Sequence, residues 1–142
     1  MMDDLYNFSD KQALTNVATS AAQKSTNVNY EGRTAKNAFG VAINEEITGY
    51  FNFSVTTALV GASAAMTVSL VTKADASISS GATVIASMTV PALSAAGYQQ
   101  SVKVESKARL AYLGVIFQGS GAKVTSATVN AWLGLKPPKT DD

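Results

Sequence analysis

The chain contains no cysteine and no histidine. The first absence excludes disulfides and thiolate metal sites. The second removes the commonest general base, the commonest transition-metal ligand and the side chain that titrates near neutrality. Charge is also scarce. Asp, Glu, Lys and Arg make up 15% of the 142 residues and nearly cancel, to a net charge of +1, whereas about 25% is usual for a soluble domain. Nothing in the sequence clusters Lys and Arg for phosphate neutralisation, so nucleic acid is not expected as a partner. No apolar run approaches the roughly 20 residues of a membrane helix, so no membrane is expected either. The first residues, "MMDDLYNF", are acidic and lack an apolar centre, unlike a secretory leader, so nothing marks the chain for export.

What is present is alternation. In "GYFNFSV", Phe51, Phe53 and Val55 share one face and Tyr50, Asn52 and Ser54 the other. Met66, Val68 and Leu70 alternate with Thr67 and Ser69, and Val129, Ala131 and Leu133 with Thr128, Asn130 and Trp132. "RLAYLGVIFQ" is apolar on both faces and reads as a central, covered strand. Short Gly/Ser connections at residues 79–82, 94–97 and 119–122 separate these runs. Strands are therefore expected around Ala13, Phe51, Val68, Val84, Val102, Val115 and Val129. Such a series of short strands and frequent turns predicts a single all-β domain, a jelly-roll-like β-sandwich.

The expected organisation is an N-terminal segment over residues 1–12, a sandwich over 13–135 and a Pro-rich tail over 136–142, where Pro137 and Pro138 end any strand. Residues 19–44 are the least regular and read as a long loop or arm. Helical spacing over residues 35–46 is weak, because Gly40 and β-branched residues interrupt it.

No catalytic constellation emerges. Glu45 and Glu46 are the only adjacent internal acidic pair, and in an extended segment they point to opposite faces. Gly119 to Gly121 lies between two β-runs, so it reads as a hairpin turn and not a phosphate cradle. The serines and threonines have no histidine to activate them. The chain is therefore not expected to be an enzyme or to carry a cofactor or metal. Tyr50, Tyr98, Tyr112 and Trp132 fall on polar strand faces, where they either pack under loops at the ends of the sandwich or, with Tyr50, Tyr98 and Trp132 the candidates for exposure, anchor an interface or stack on sugars.

The stretch "NFSDKQALT" admits two readings. Ser9 with Gln12 three residues on fits a capping box, one helical turn leading into the first strand. Leu5, Tyr6 and Phe8, which precede it, are apolar and need cover. The same stretch also carries a resemblance. "FSDKQALT" followed by "STNVNYEG" resembles the opening of the capsid cement, or head decoration, proteins of tailed bacteriophages. The matching positions are Phe8, Ser9, Asp10, Gln12, Ala13, Ser25, Thr26, Asn27 and Gly32. Asn29 stands where that family has an acidic residue. "YLGVIFQGSG" and "SATVNAWL" are similar to the family's last two strands.

The resemblance implies a jelly-roll-like sandwich on the outer surface of a virion, bridging neighbouring major capsid proteins. It further implies that copies associate, as a homodimer or a trimer. A clamp of this kind needs only modest contacts, because many copies act together on one lattice. On this reading Leu5, Tyr6, Phe8, Ser9, Asp10 and Gln12, with Pro137 and Pro138, make contacts outside their own domain. The rival expectation is a carbohydrate-binding jelly roll of a fibre or adhesin, in which the exposed aromatics meet sugar.

Overall fold

A computed structural model describes residues 4–30, 47–61, 65–106 and 112–134. Among these residues nine strands form in chain order: β1 (Asp4–Val17), β2 (Gln23–Lys24), β3 (Asn29–Tyr30), β4 (Ile47–Val60), β5 (Ala65–Lys73), β6 (Thr83–Val90), β7 (Gln99–Ser106), β8 (Tyr112–Ser120) and β9 (Val124–Gly134). Each of the expected strand centres lies in one of them, and no helix occurs among the described residues. The helical possibility at residues 35–46, the Glu45–Glu46 pair and the tail with Pro137 and Pro138 all lie outside the described residues.

The strands make two antiparallel sheets. One runs β1-β9-β4-β7, and the other β2-β8-β5-β6, with β3 also pairing with β8. Together they form a β-sandwich. Period-two alternation sends one set of side chains from each sheet into the space between them. Phe51, Phe53 and Val55 of β4 and Val129, Ala131 and Leu133 of β9 come from the first sheet. Met66, Val68 and Leu70 of β5 and Leu113, Val115 and Phe117 of β8 come from the second; all belong to one core cluster. Phe53 and Phe117 meet across the layers, with ring centroids 6.5 Å apart and planes tilted by 50°. The turn between β8 and β9 follows from Gly119. A Cβ there would come within 2.7 Å of the carbonyl oxygens of Val17 and Ala122, so only glycine fits.

The largest departure from the sequence reading is at the N-terminus. Residues 4–12 are not an arm outside the sandwich, and Ser9 and Gln12 do not cap a helix. The whole stretch is part of β1, antiparallel to β9 from Asp4↔Gly134 to Val17↔Val124. Phe8 is fully buried in the core cluster. The strand is irregular, with register shifts between Asp4 and Tyr6, Asn7 and Ser9, and Ser9 and Gln12. Bulges of this kind are invisible to a period-two count, because each one moves the alternation by a residue.

Those irregularities are held by β9. Lys11 has φ of 53°, a left-handed conformation uncommon for a residue with a side chain. Its N–H donates to Asn130 Oδ1 at 2.7 Å, while Asn130 Nδ2 donates to Ser54 Oγ and Thr56 Oγ1 of β4, each at 3.1 Å. One amide side chain thus ties three strands on the outer face of the first sheet.

Because Phe8 fills the core, Phe8→Ala should cost about 3–5 kcal/mol. Urea unfolding followed by circular dichroism measures it; a loss under about 1 kcal/mol would mean that the segment is peripheral.

Candidate functional site

Of the residues that carried the resemblance, Phe8, Ser9, Gln12, Ser25, Thr26 and Asn27 converge on one flank of the sandwich, where the edge strand β1 faces β2 and β3; Gly32 lies outside the described residues. Gln12 is the centre. Its Oε1 accepts from Ser9 Oγ at 2.6 Å and from the Thr26 N–H at 2.9 Å, and its Nε2 donates to the Lys24 carbonyl at 3.1 Å. Asn27 reaches the same strand twice: its N–H donates to the Phe8 carbonyl at 2.9 Å, and its Nδ2 to the Asn7 carbonyl at 3.1 Å. Ser25 turns the other way. Its N–H donates to the Val115 carbonyl at 2.7 Å, and its Oγ accepts from the Val115 N–H at 3.1 Å while donating to the Asn27 carbonyl at 2.8 Å.

Residues 25–27 therefore bridge the two sheets. They interrupt the pairing of β2 and β3 with β8: the register passes from Lys24↔Ile116 to Asn29↔Leu113, with more residues on the β2–β3 side than opposite them. The surplus length swings out to β1. Small side chains with both donor and acceptor capacity suit this role, because they substitute for backbone groups at close range. The Ser9–Gln12 spacing was legible as a contact, and the contact forms; a bulged strand brings the two together where a helical turn was expected.

The placement of the candidate contact residues follows. Phe8 and Ser9 are buried and Gln12 is engaged within the domain, while Asp10 is exposed at the bulge. Leu5 and Tyr6 lie in β1, Tyr6 opposite Leu133. Pro137 and Pro138 lie outside the described residues. Trp132, one of the candidates for an exposed contact, is only 7% exposed. It stands outside the core cluster, opposite Asn7 on one side and Asn52 on the other. Tyr98 takes the packed alternative: it lies against the core and donates its hydroxyl to Gln100 Oε1 at 2.8 Å. Tyr50 is half-buried in β4. The three aromatics do not form an open stacking platform.

Among the described residues no group of three or more His, Cys, Asp or Glu side chains is arranged to hold a metal ion. On the outer face of the second sheet the registers align Gln118, Thr67 and Thr89; then Ile116, Ser69 and Ser87; then Gly114, Val71 and Val84. None is charged. Over this face lies an open groove of about 400 Å³, lined by residues 20–22 and 78–82 with Ile116 and Gln118, again without a charged side chain.

The loop between β5 and β6 makes one wall of the groove. Ile78 is fully buried although it lies outside the main core. It occupies the space that Gly114 leaves: a Cβ on Gly114 would collide with Ile78 Cδ1 and come within 3.6 Å of Val28 Cγ1. Lys73 Nζ donates to the Ser77 and Ser80 carbonyls, both at 2.8 Å. Asp75 Oδ1 accepts from the Ser77 N–H at 2.9 Å and lies 3.6 Å from Lys73 Nζ. The Ser77 hydrogen bond, helped by Lys73, holds the Asp75 carboxyl below its ordinary value of 3.8. No protein-family profile matches the chain, and no curated protein matches it in sequence.

Two outcomes are expected. Gln12→Ala should lower stability by about 1–2 kcal/mol, since it removes three hydrogen bonds; an unchanged urea midpoint would contradict the bridge. A carboxyl with a lowered folded-state pKa stabilises above its unfolded value and loses that contribution as pH falls through the folded value. Limited acid proteolysis at residues 74–82 should therefore rise as pH drops below 3.8. Asp75→Asn should flatten that dependence, and a pH profile identical in the two proteins would contradict it.

Proposed function

We propose that this protein is a capsid cement protein: it binds the outside of a tailed-phage head, bridges neighbouring major capsid proteins and associates with further copies of itself. The observation that carries the reading is the Ser/Thr/Gln-rich outer face of the second sheet with its uncharged groove, bordered by Lys24 and Lys73. A neutral Ser/Thr/Gln surface hydrogen-bonds to a partner's backbone without the desolvation cost of burying charge. An extended segment of the shell protein suits a groove of small side chains, where backbone groups approach closely. Modest contacts suffice because the lattice repeats them.

The strand order supports the finer fold reading. If β2 and β3 count as one interrupted strand, the chain alternates between sheets at every step except β5 to β6, giving β1-β9-β4-β7 over β2/β3-β8-β5-β6. Two interleaved Greek keys of eight strands produce this connectivity, which is the jelly roll of many capsid and lectin domains. The carbohydrate reading has less support, because Trp132 and Tyr98 are occupied within the fold.

Ala21, an exposed residue of the groove wall, provides the test. Ala21→Glu should weaken binding to purified heads by about tenfold or more through a charge buried at the contact, with the unfolding midpoint unchanged. Mass spectrometry of particles should find the chain at a copy number comparable to the shell protein. Its absence from particles, or equal decoration by the variant, would overturn the reading.

A further inference from the structure

Among the described residues the two sheets have four edges: β1 and β7 in the first sheet, and β2/β3 and β6 in the second. A free edge presents unpaired N–H and C=O groups to any strand that arrives, and natural proteins blunt it with charge, proline, bulges or brevity. Three of these edges are blunted. β1 carries three register shifts together with Asp4, Asp10 and Lys11. β2 and β3 have two residues each and are bound to the bridge. β7 carries Lys103 and Glu105, both exposed and 3.3 Å apart.

β6 has only one of these devices, a single bulge at Ile85. Its sequence, TVIASMTV, contains no charge and no proline. Its one irregularity lies in the pairing with β5, between Leu70 and Val71 opposite Ala86 and Val84. No element among the described residues pairs with its other side. Thr83, Val84, Ser87 and Thr89 are exposed along it.

Apolar exposure gathers at the same flank. The large hydrophobic side chains exposed among the described residues are Val84, at 53%, Leu93, at 62%, and Val60, at 50%. Val84 begins β6, and Leu93 lies three residues past its end, with φ of 59°. Val60 adjoins the Leu93 loop, because the Leu59 N–H donates to the Ser94 carbonyl at 3.0 Å. A bulky residue held left-handed and turned to solvent costs free energy unless something is gained there.

We propose that β6 is the contact between two copies of this chain, paired antiparallel across a two-fold axis so that their second sheets become continuous. The occupant follows from self-complementarity. A two-fold axis joins one patch to itself, and an uncharged strand meets its copy without repulsion. Antiparallel pairing also brings the Leu93 end of one β6 against the Val84 end of the other, and it does so twice. A foreign strand has no such match on this surface. The proposal deepens the cement reading by locating the contact between copies, and it rests on that reading only for the expectation that copies meet.

The test is Val84→Lys with Thr89→Lys, both at exposed positions, against Ser101→Lys on β7 as a control. Light scattering after size exclusion should give a dimer for the natural chain and for the Ser101→Lys control, and a monomer for the double variant, all with the same far-ultraviolet circular dichroism. Because the chain has no cysteine, single cysteines placed along β6 should form intermolecular disulfides on oxidation, whereas a cysteine at Ser101 should not. A monomeric natural chain, or a double variant that remains dimeric, would overturn the proposal. Val84 and Thr89 also lie on the outer face assigned to the shell contact, so the double variant is read for oligomeric state alone and head binding is judged from Ala21→Glu.

Discussion

The bridge at residues 25–27 is the constraint on which the rest of the molecule depends. Hydrophobic burial draws two sheets together but is non-directional and sets neither their relative position nor which edges meet. Hydrogen bonds supply that. Ser25 is bonded to Val115 in one sheet, Asn27 to Asn7 and Phe8 in the other, and the Thr26 N–H to Gln12 between them. With the flank stitched, Phe8 is committed to the core, and β1 runs along the length of β9.

This closure accounts for the irregular N-terminal strand. For Gln12 to reach Lys24 and Thr26 while Phe8 stays inward, β1 must gain residues relative to β9, and it does so at its register shifts. The left-handed Lys11 is held there by Asn130, and a second left-handed residue, Asn16 with φ of 51°, falls just before β1 ends at Val17. Asparagine tolerates that conformation better than most residues. The two flanks then differ in kind. One is bulged, bonded and closed. The other presents the edge strand β6 and the exposed Leu93 loop, beside a face rich in Ser, Thr and Gln and an uncharged groove.

The strands were legible because burial between two sheets imposes strict alternation, and Phe51, Met66, Val115 and Val129 obey it. Turns at residues 79–82 and 94–97 were legible from glycine and serine. The docking of residues 4–12 was not, because each bulge moves the alternation and makes a sheet edge resemble an arm. The burial of Trp132 stayed open for a related reason: alternation tells which face a residue takes, and not how closely Asn7 and Asn52 enclose it. Ser9, Gln12, Ser25, Thr26 and Asn27 were noticed as a pattern. Their spacing in sequence does not say whether such residues bond to a partner or to one another; only the topology that brings β1 beside β2 decides it.

Backbone amide exchange at Thr26 and Asn27 tests the bridge most directly. If residues 25–27 hold the sheets together, these two amides open only with the core, and their protection matches that of Val115 and Val129 despite their position in a connection at the surface. Exchange at the rate of an exposed loop, with the core amides still protected, would show that the sheets are positioned without them and would contradict the account.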